Sequence, residues 1–318
     1  MDVSVIVCTY NRASSLGYTL AALDRQEVAA DLNWEIVIVD NNSKDSTPAA
    51  VEEFARASRA PAIYIHEQRQ GLSFARNAGI AKSRGRIIAF TDDDVTPAAN
   101  WLSTLVHSMK QYGADGIGGK ILPQWFSEPP RWLMEDRSHA LLERLALLDA
   151  DELCFSQPGA PVKIFGANMA FSRSLFGELG TFDVELGRRG NKLYSHEERD
   201  FLERAVAAHK VIVYDPRIIV WHHIAAERMQ KSYFRKWSLD DGEKKAVRVG
   251  RPDGWQIVGI PTRMFVFVLR DLTRWAWSVL RRSPKSFRRE TKLWFYLGFV
   301  RFRVYDYFGF TGGEHRVT

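Results

Sequence analysis

Two runs of the sequence, VSVIVCTY at 3–10 and WEIVIVD at 34–40, are apolar almost without interruption and no longer than a strand. Apolar residues on both alternating faces mark a strand buried on both sides, as in a parallel sheet covered by helices. Stretches with helical spacing at 13–26, 47–57 and 72–83 separate these runs from further strands at 62–66 and 86–91. A fourth helix at 101–112 leads to a strand at 116–122. This βαβαβα order predicts an α/β fold with a parallel sheet. The 318 residues are 46% hydrophobic and 26% charged, which suits about two globular domains and excludes a disordered or collagen-like chain.

Polar side chains collect where the strands end. Thr9, Tyr10 and Asn11 follow the first, Asp40 to Ser43 the second, and Asp92 to Asp94 the fourth. An open parallel sheet binds ligands outside the carboxyl ends of its strands, so three such clusters point to one site. Farther on, residues 123–160 are rich in Pro and Trp and read as a loop-and-helix insertion. Its Trp125 and Trp132 suit either a sugar-stacking wall or hydrophobic packing. A strand at 165–172, a helix at 197–208 and strands at 211–214 and 218–222 precede a mostly helical remainder.

Two common nucleotide motifs are absent. GADGIGGK at 113–120 has Ala114 where a phosphate loop needs glycine, and Ile121 where it needs Ser or Thr. No G-x-G-x-x-G follows the first strand. The triple acid Asp92-Asp93-Asp94 is more informative. Three consecutive carboxylates at the end of a buried strand repel one another unless a cation neutralises them, and Mg²⁺ or Mn²⁺ takes carboxylate and phosphate oxygens. A solvated acidic turn is the alternative. Asp40 either accepts hydrogen bonds from a base or sugar or caps a turn with Ser43, Asp45 and Ser46. Glu197, Glu198 and Asp200 either supply a general base or open a helix whose dipole favours acids there. Cys8 and Cys154 lie far apart, so neither a disulfide framework nor a thiol metal cluster is expected, and a reducing compartment is the simpler setting. His66, His107, His139 and His209 show no ligand spacing.

The net charge of +6 conceals an asymmetry: residues 1–227 hold 24 Lys and Arg against 30 Asp and Glu, whereas residues 228–318 hold 20 against 8. An acidic body of −6 thus carries a tail of +12. On a helix, Arg263, Arg270, Arg274 and Arg281 fall within about 40° of one line beside Phe265, Phe267, Leu269 and Trp277, and Lys285, Arg289, Lys292 and Arg303 repeat the pattern. Such stripes fit an in-plane helix at an anionic lipid surface, the alternative being helices packed on the body with their arginines in water. No recognition motif accompanies the charge, so nucleic acid is not an expected partner. No stretch approaches the roughly 18 apolar residues of a spanning helix. The N-terminus MDVSVIVCTYNR has no basic leader, so no signal peptide is expected. The expected location is cytoplasmic, peripheral on the inner face of the cell membrane.

Eight blocks occur in the order that resembles family 2 glycosyltransferases: VSVIVCTYNR (3–12), IVIVDNNSKDST (36–47), GLSFARNAGI (71–80), IIAFTDDDV (87–95), GANMAFSR (166–173), LGTFD (179–183), HEERDF (196–201) and PRIIVWHH (216–223). The resemblance covers roughly residues 1–225. It implies a GT-A fold, a mostly parallel nucleotide-binding sheet flanked by helices. Residues 1–227 would then be the catalytic domain and 228–318 a basic amphipathic helical extension at a membrane surface. It further implies a nucleotide-sugar donor, UDP being the usual nucleotide, and inverting transfer assisted by Mn²⁺ or Mg²⁺. The acceptor would be a saccharide or lipid-linked saccharide in polysaccharide or glycan assembly.

Carried over by position, Thr9, Asn11 and Asp40 would line the nucleoside pocket, with Asp40 facing the base and Arg76 near the nucleotide. Asp92 and Asp94 are the outer positions of a D-x-D motif, Asp92 near the ribose and Asp94 on the metal. Asp93, between them, joins the donor-binding set. Gly166, Ala167 and Asn168, together with Asp200, would lie beside the donor sugar and acceptor. Glu197-Glu198 resembles a Glu-Asp pair whose second carboxylate is the general base. Here Glu198 reaches one methylene further, and Glu197 is the alternative. His222 would reach the metal or diphosphate, with His223 adjacent in register. Two other readings compete: a sugar nucleotidyltransferase, whose usual glycine-rich phosphate loop is missing from TYNRASS, and a non-catalytic saccharide-binding membrane scaffold.

Overall fold

In the computed structural model, residues 1–136, 140–187, 196–250 and 254–310 are described; His139 lies outside them. The chain begins β1 (Val3–Thr9), α1 (Ala13–Asp24), β2 (Trp34–Asp40), α2 (Thr47–Ala57), β3 (Ala62–His66), α3 (Leu72–Lys82) and β4 (Ile87–Asp92). These four strands run parallel in the order β3-β2-β1-β4. Every residue of β1 except Cys8 is buried, and every residue of β2 except Trp34, as their unbroken apolar runs require. Pro48 sits in the first turn of α2, where a backbone N–H has no helical acceptor to lose.

After β4 come β5 (Val95–Pro97), α4 (Trp101–Tyr112), β6 (Gly116–Trp125), the single turn α5 (Arg131–Met134), β7 (Cys154–Phe155), β8 (Met169–Ser172), α6 (Arg173–Leu179), α7 (Glu197–Ala207) and β9 (Ile212–Ile224). Beyond β4 the mostly parallel sheet takes on antiparallel strands. β8 lies antiparallel to β4, β6 antiparallel to β8, and β5 and β7 antiparallel to β9. The sheet is therefore parallel from its β3 edge as far as β4 and antiparallel from β4 onward. The strand expected from 165 starts later, because Gly166–Asn168 form a 3₁₀ turn ahead of β8. The two strands expected around Pro216 are one continuous strand, within which Asp215 accepts the N–H of Arg217 at 3.0 Å. Behind β4 and β8, Phe90, Phe171, Phe176, Phe182 and Phe201 pack with ring centroids 4.9–6.3 Å apart.

Two compact units account for the described residues. The first falls within Met1–Gln124, Ala146–Asn191 and Ser195–His223, and holds the sheet. The second falls within Trp125–Leu145, Lys192–Tyr194 and Ile224–Thr318. It contains α8 (Lys231–Val249), the small hairpin β10 (Gln256–Ile257) and β11 (Ile260–Pro261), α9 (Thr262–Leu280) and α10 (Ser286–Tyr307). α8 and α10 cross at two glycines: a Cβ on Gly242 would run into the carbonyl of Phe295, and one on Gly298 into that of Leu239. Trp132 packs edge-on against Phe234 and Phe287 in this unit, at 5.5 and 4.7 Å, so packing is the role the structure gives its ring. Arg263, Arg270, Arg274 and Arg281 are exposed along α9. The second stripe breaks at Arg303, which is buried and donates to the carbonyl of Gly250. Among the described residues, no helix is long and apolar enough to cross a membrane.

Candidate active site

Strand register builds one polar rim in the first unit. Thr9 pairs with Asp40 across β1 and β2, and Cys8 with Asp92 across β1 and β4, so three strand ends meet at the same edge. The chain steps from β1 to β2 and β3 on one side and returns to β4 on the other. Strand order therefore reverses at this rim, the usual ligand position in such sheets.

On one side of the rim the loops after β1 and β2 interlock. Asn11, at a φ of 51°, donates its backbone N–H to Ser43 Oγ (2.9 Å) and accepts from Lys44 N–H through Oδ1 (2.7 Å). Asp40 is wholly buried and accepts from the Ser43 amide and the Tyr64 hydroxyl, each at 2.9 Å. Burial and the Asp40 carboxylate push the Tyr64 phenol up to about 12. Asn41 staples the segment ahead of α3: its amide donates to the carbonyls of Glu67 (3.2 Å) and Arg69 (2.7 Å), and its Oδ1 accepts from Gly71 N–H (2.8 Å). The sequence marked Asn41 only as a neighbour of Asp40.

The three consecutive acids have three different surroundings. Asp92 is partly open, its side chain 37% exposed. Asp93 is buried, and that burial, with the charge of Asp94, pushes its carboxyl up to about 7 against the pull of Arg12. Asp94 lies 3.5 Å from Arg12 Nη1 through one oxygen and 3.2 Å from His222 Nε2 through the other. His222 arrives there because Val95 of β5 pairs with it on β9. His223 occupies the opposite face, with Nε2 2.7 Å from Thr96 Oγ1 and its ring edge-on to Tyr18. Burial lowers its pKa.

Arg76, buried in α3, is the hub between the acid cluster and α7. Its guanidinium is 2.7 Å from Glu197, 3.3 Å from Glu198 and 3.9 Å from Asp92, and lies near the rings of Phe182 and Phe90. Burial opposes its charge, but Glu198, Glu197 and Asp92 outweigh burial and raise its pKa. Glu197 is wholly buried, with its other oxygen taking the N–H of His196 at 2.9 Å. Glu198 stands nearer the surface and accepts from Gly166 N–H at 3.2 Å. A Cβ on Gly166 would collide with the Arg76 guanidinium and reach within 2.6 Å of Glu198, so this approach needs glycine.

Other expected site residues turn elsewhere. The carbonyl of Ala167 accepts from Thr91 Oγ1 at 3.1 Å, tying the 3₁₀ turn to β4. Asn168 is buried and fully engaged: Oδ1 accepts from Trp101 Nε1 (2.9 Å), and Nδ2 donates to the carbonyls of Lys120 (2.8 Å) and Ile218 (3.0 Å). Asp200 bridges to Arg204 one turn along α7, at 2.9 Å. The rim therefore gathers Thr9, Asp92, Asp93, Asp94, Arg76, Glu197, Glu198, Gly166 and His222, while Asn168 and Asp200 serve the scaffold. Arg12, at the end of the first block, was not singled out in the sequence because nothing there couples it to an acid so far along the chain.

Among the described residues, no three His, Cys, Asp or Glu side chains converge as a complete metal site. Asp94 and His222 nevertheless fit a partial one. Their donor atoms are 3.2 Å apart, near the ~3 Å that separates neighbouring ligands of an octahedral ion with bonds of about 2.1 Å. Mg²⁺ and Mn²⁺ commonly take one or two protein ligands and complete the shell with phosphate oxygens and water.

Comparison with known proteins is decisive at this point. The sequence model of Glycosyl transferase family 2 matches residues 4–180. The chain belongs to this family. It is 26% identical over 252 residues to glucosyl-dolichyl phosphate glucuronosyltransferase of Haloferax volcanii, covering 78% of this chain and 77% of that one. To succinoglycan biosynthesis protein ExoM of Rhizobium meliloti it is 25% identical over 244 residues, covering 76% and 74%. Mannosyltransferase PcManGT of Pyrobaculum calidifontis, solved with GDP-Man and Mn²⁺, has a TM-score of 0.56 at 19% identity, covering 99% of this chain and 76% of that one. The fold is that of the GT-A glycosyltransferases, and this family 2 member is a glycosyltransferase. The family match ends before α7 and β9, so Glu197, Glu198 and His222 stand on the geometry above.

Proposed function

We propose that this glycosyltransferase moves a sugar from a UDP-sugar to a hydroxyl of a saccharide or lipid-linked saccharide, by a single displacement that inverts the anomeric centre. The observation that carries the reading is the Arg76 bridge: one buried guanidinium lies within 3.9 Å of Asp92, beside the proposed metal-ligand pair Asp94 and His222, and 3.3 Å from Glu198. A donor-holding cluster and a candidate base thus share a single rim.

Glu198 is the base. Glu197 is tied at both oxygens and positions Arg76, whereas Glu198 has the longer contacts and the greater exposure. An acceptor hydroxyl is a poor nucleophile at neutral pH. As its oxygen bonds to the anomeric carbon, Glu198 takes its proton, and the bond to the diphosphate breaks with the electron pair leaving on the nucleotide. Base assistance of this kind is worth roughly 10²–10⁴-fold. A single displacement at that carbon gives inversion. Asp94 and His222 would hold Mn²⁺ or Mg²⁺, which supplies positive charge for the departing diphosphate. Thr9 and Asn11 line the nucleoside side, and Asp40 acts there through the loop it pins by Ser43. Asp92 faces the ribose and Asp93 backs it. Asn168 fixes the turn from which Gly166 and Ala167 meet the donor sugar and acceptor, and Asp200 steadies α7.

Residues 1–227 do this work, and the basic segment 228–318 holds the enzyme at the inner membrane face. The charge asymmetry supports that reading, as does a relative whose name specifies a dolichyl phosphate substrate. The test is product release from a panel of nucleotide sugars with Mn²⁺ and saccharide acceptors. Nucleoside diphosphate is expected, with Glu198→Gln lowering turnover 10²–10⁴-fold while donor affinity holds. Release of pyrophosphate, or a Glu198→Gln variant with unchanged turnover, defeats the reading.

A further inference from the structure

α9 is built inside out. A helix that packs on a protein normally buries its apolar stripe and leaves polar residues in water. Here the fully buried positions are Asp271 and Ser278. Asp271 accepts from the Tyr296 hydroxyl at 2.8 Å and pairs with Arg270 at 3.2 Å, while Ser278 Oγ donates to the Trp275 carbonyl at 2.7 Å. Facing outward are Phe265, Val266, Leu269, Leu272, Val279 and Leu280, the last 75% exposed. At 100° per residue these six cover about 140° of the helix surface.

The arginines decide what covers this face. Arg263, Arg270, Arg274 and Arg281 form a row along one border of the apolar sector, all exposed. Arginine stems lie along apolar surface while their heads reach outward, which suits a boundary between acyl chains and phosphates better than a dry protein interface. Beside them, Trp277 is exposed and carries the Arg281 guanidinium 4.3 Å from its ring centre, a pairing at home in the headgroup layer. The segment 228–318 is +12 overall, so attraction favours an anionic surface. α9 is not apolar enough to cross a bilayer, so contact with one would run along its surface.

We propose that α9 lies in the plane of an anionic bilayer, its six outward apolar side chains at the acyl boundary and its four arginines on headgroup phosphates. This deepens the membrane reading of the proposed function by naming the face that docks.

The experiment is flotation of the whole protein with vesicles of phosphatidylcholine alone or with phosphatidylglycerol, without donor or acceptor. Binding to the anionic vesicles should exceed binding to the neutral ones at least tenfold. A Leu269→Glu/Leu280→Glu variant should lose at least tenfold of that binding with its melting temperature unchanged. Arg263→Glu/Arg281→Glu, which leaves the apolar face intact, provides the second arm should the first variant misfold. Unchanged binding in either folded variant overturns the proposal. So does a wild-type chain that ignores anionic vesicles, or one that light scattering shows to be a dimer dissociated by the Leu variant. Nucleotide release on a water-soluble acceptor, measured on the same variants, separates this failure from failure of the transferase reading: docking can fail while transfer persists, and the reverse.

Discussion

Glu197 and Glu198 are the same side chain one peptide apart, yet one is wholly buried and tied at both oxygens while the other lies nearer the surface with longer contacts. The sequence could rank them only through the resemblance; burial and hydrogen bonding separate them on physical grounds. Asp93 makes a similar point through its proton. Its carboxyl is pushed from the ordinary 3.8 to about 7. Between those pH values the folded chain binds a proton that the unfolded chain has already lost, so stability declines as pH rises through this window. Without divalent ions, Asp93→Asn should flatten that decline and leave the variant more stable than the parent chain at pH 7.5, read from urea unfolding at pH 4.5 and 7.5. The D-D-D run was visible from the start, but not which acid would have its pKa raised, because that depends on burial and on the charges packed around it in the folded chain. Asn168 was equally opaque, since its three partners come from α4, β6 and β9.

Among elements, the parallel half of the sheet was readable because β1 and β2 are apolar on both alternating faces, and only a doubly covered strand tolerates that. The antiparallel flank was not. The apolar pattern of 116–122 is the same whichever way its neighbour runs, so it carries no signal of strand direction. The crossing of α8 and α10 is another feature that periodicity hides, since two glycines inside helices look like weak points until a partner backbone is seen against them. Gly298→Leu should therefore destabilise the chain by about 3 kcal/mol or more in thermal unfolding. Gly177→Ala in α6, where nothing lies within 4 Å of the new methyl, should be neutral or stabilise by up to about 1 kcal/mol. Equal effects of the two substitutions would refute the close-approach argument.

On the scale of the whole chain, ligand binding and folding are linked. A nucleotide sugar with Mn²⁺ at a hundred times its dissociation constant should stabilise the protein by about 2.7 kcal/mol, seen as a higher melting temperature. Asp94→Ala should abolish the part of that rise that depends on Mn²⁺. A metal-dependent rise of the same size in the variant would move the cation away from Asp94. Of everything that assembles this site, the smallest piece has the longest reach. β5 is three residues long, and its pairing with β9 is what turns His222 toward Asp94 and His223 toward Thr96. Strand side chains alternate, so sliding that pairing by one residue would exchange the two imidazoles and aim the wrong ring at the carboxylate. If His222 is the second ligand proposed for the cation, that choice is made by the alignment of a few peptide groups, and a bulge or deletion in that ribbon should abolish transfer without touching a single reactive side chain.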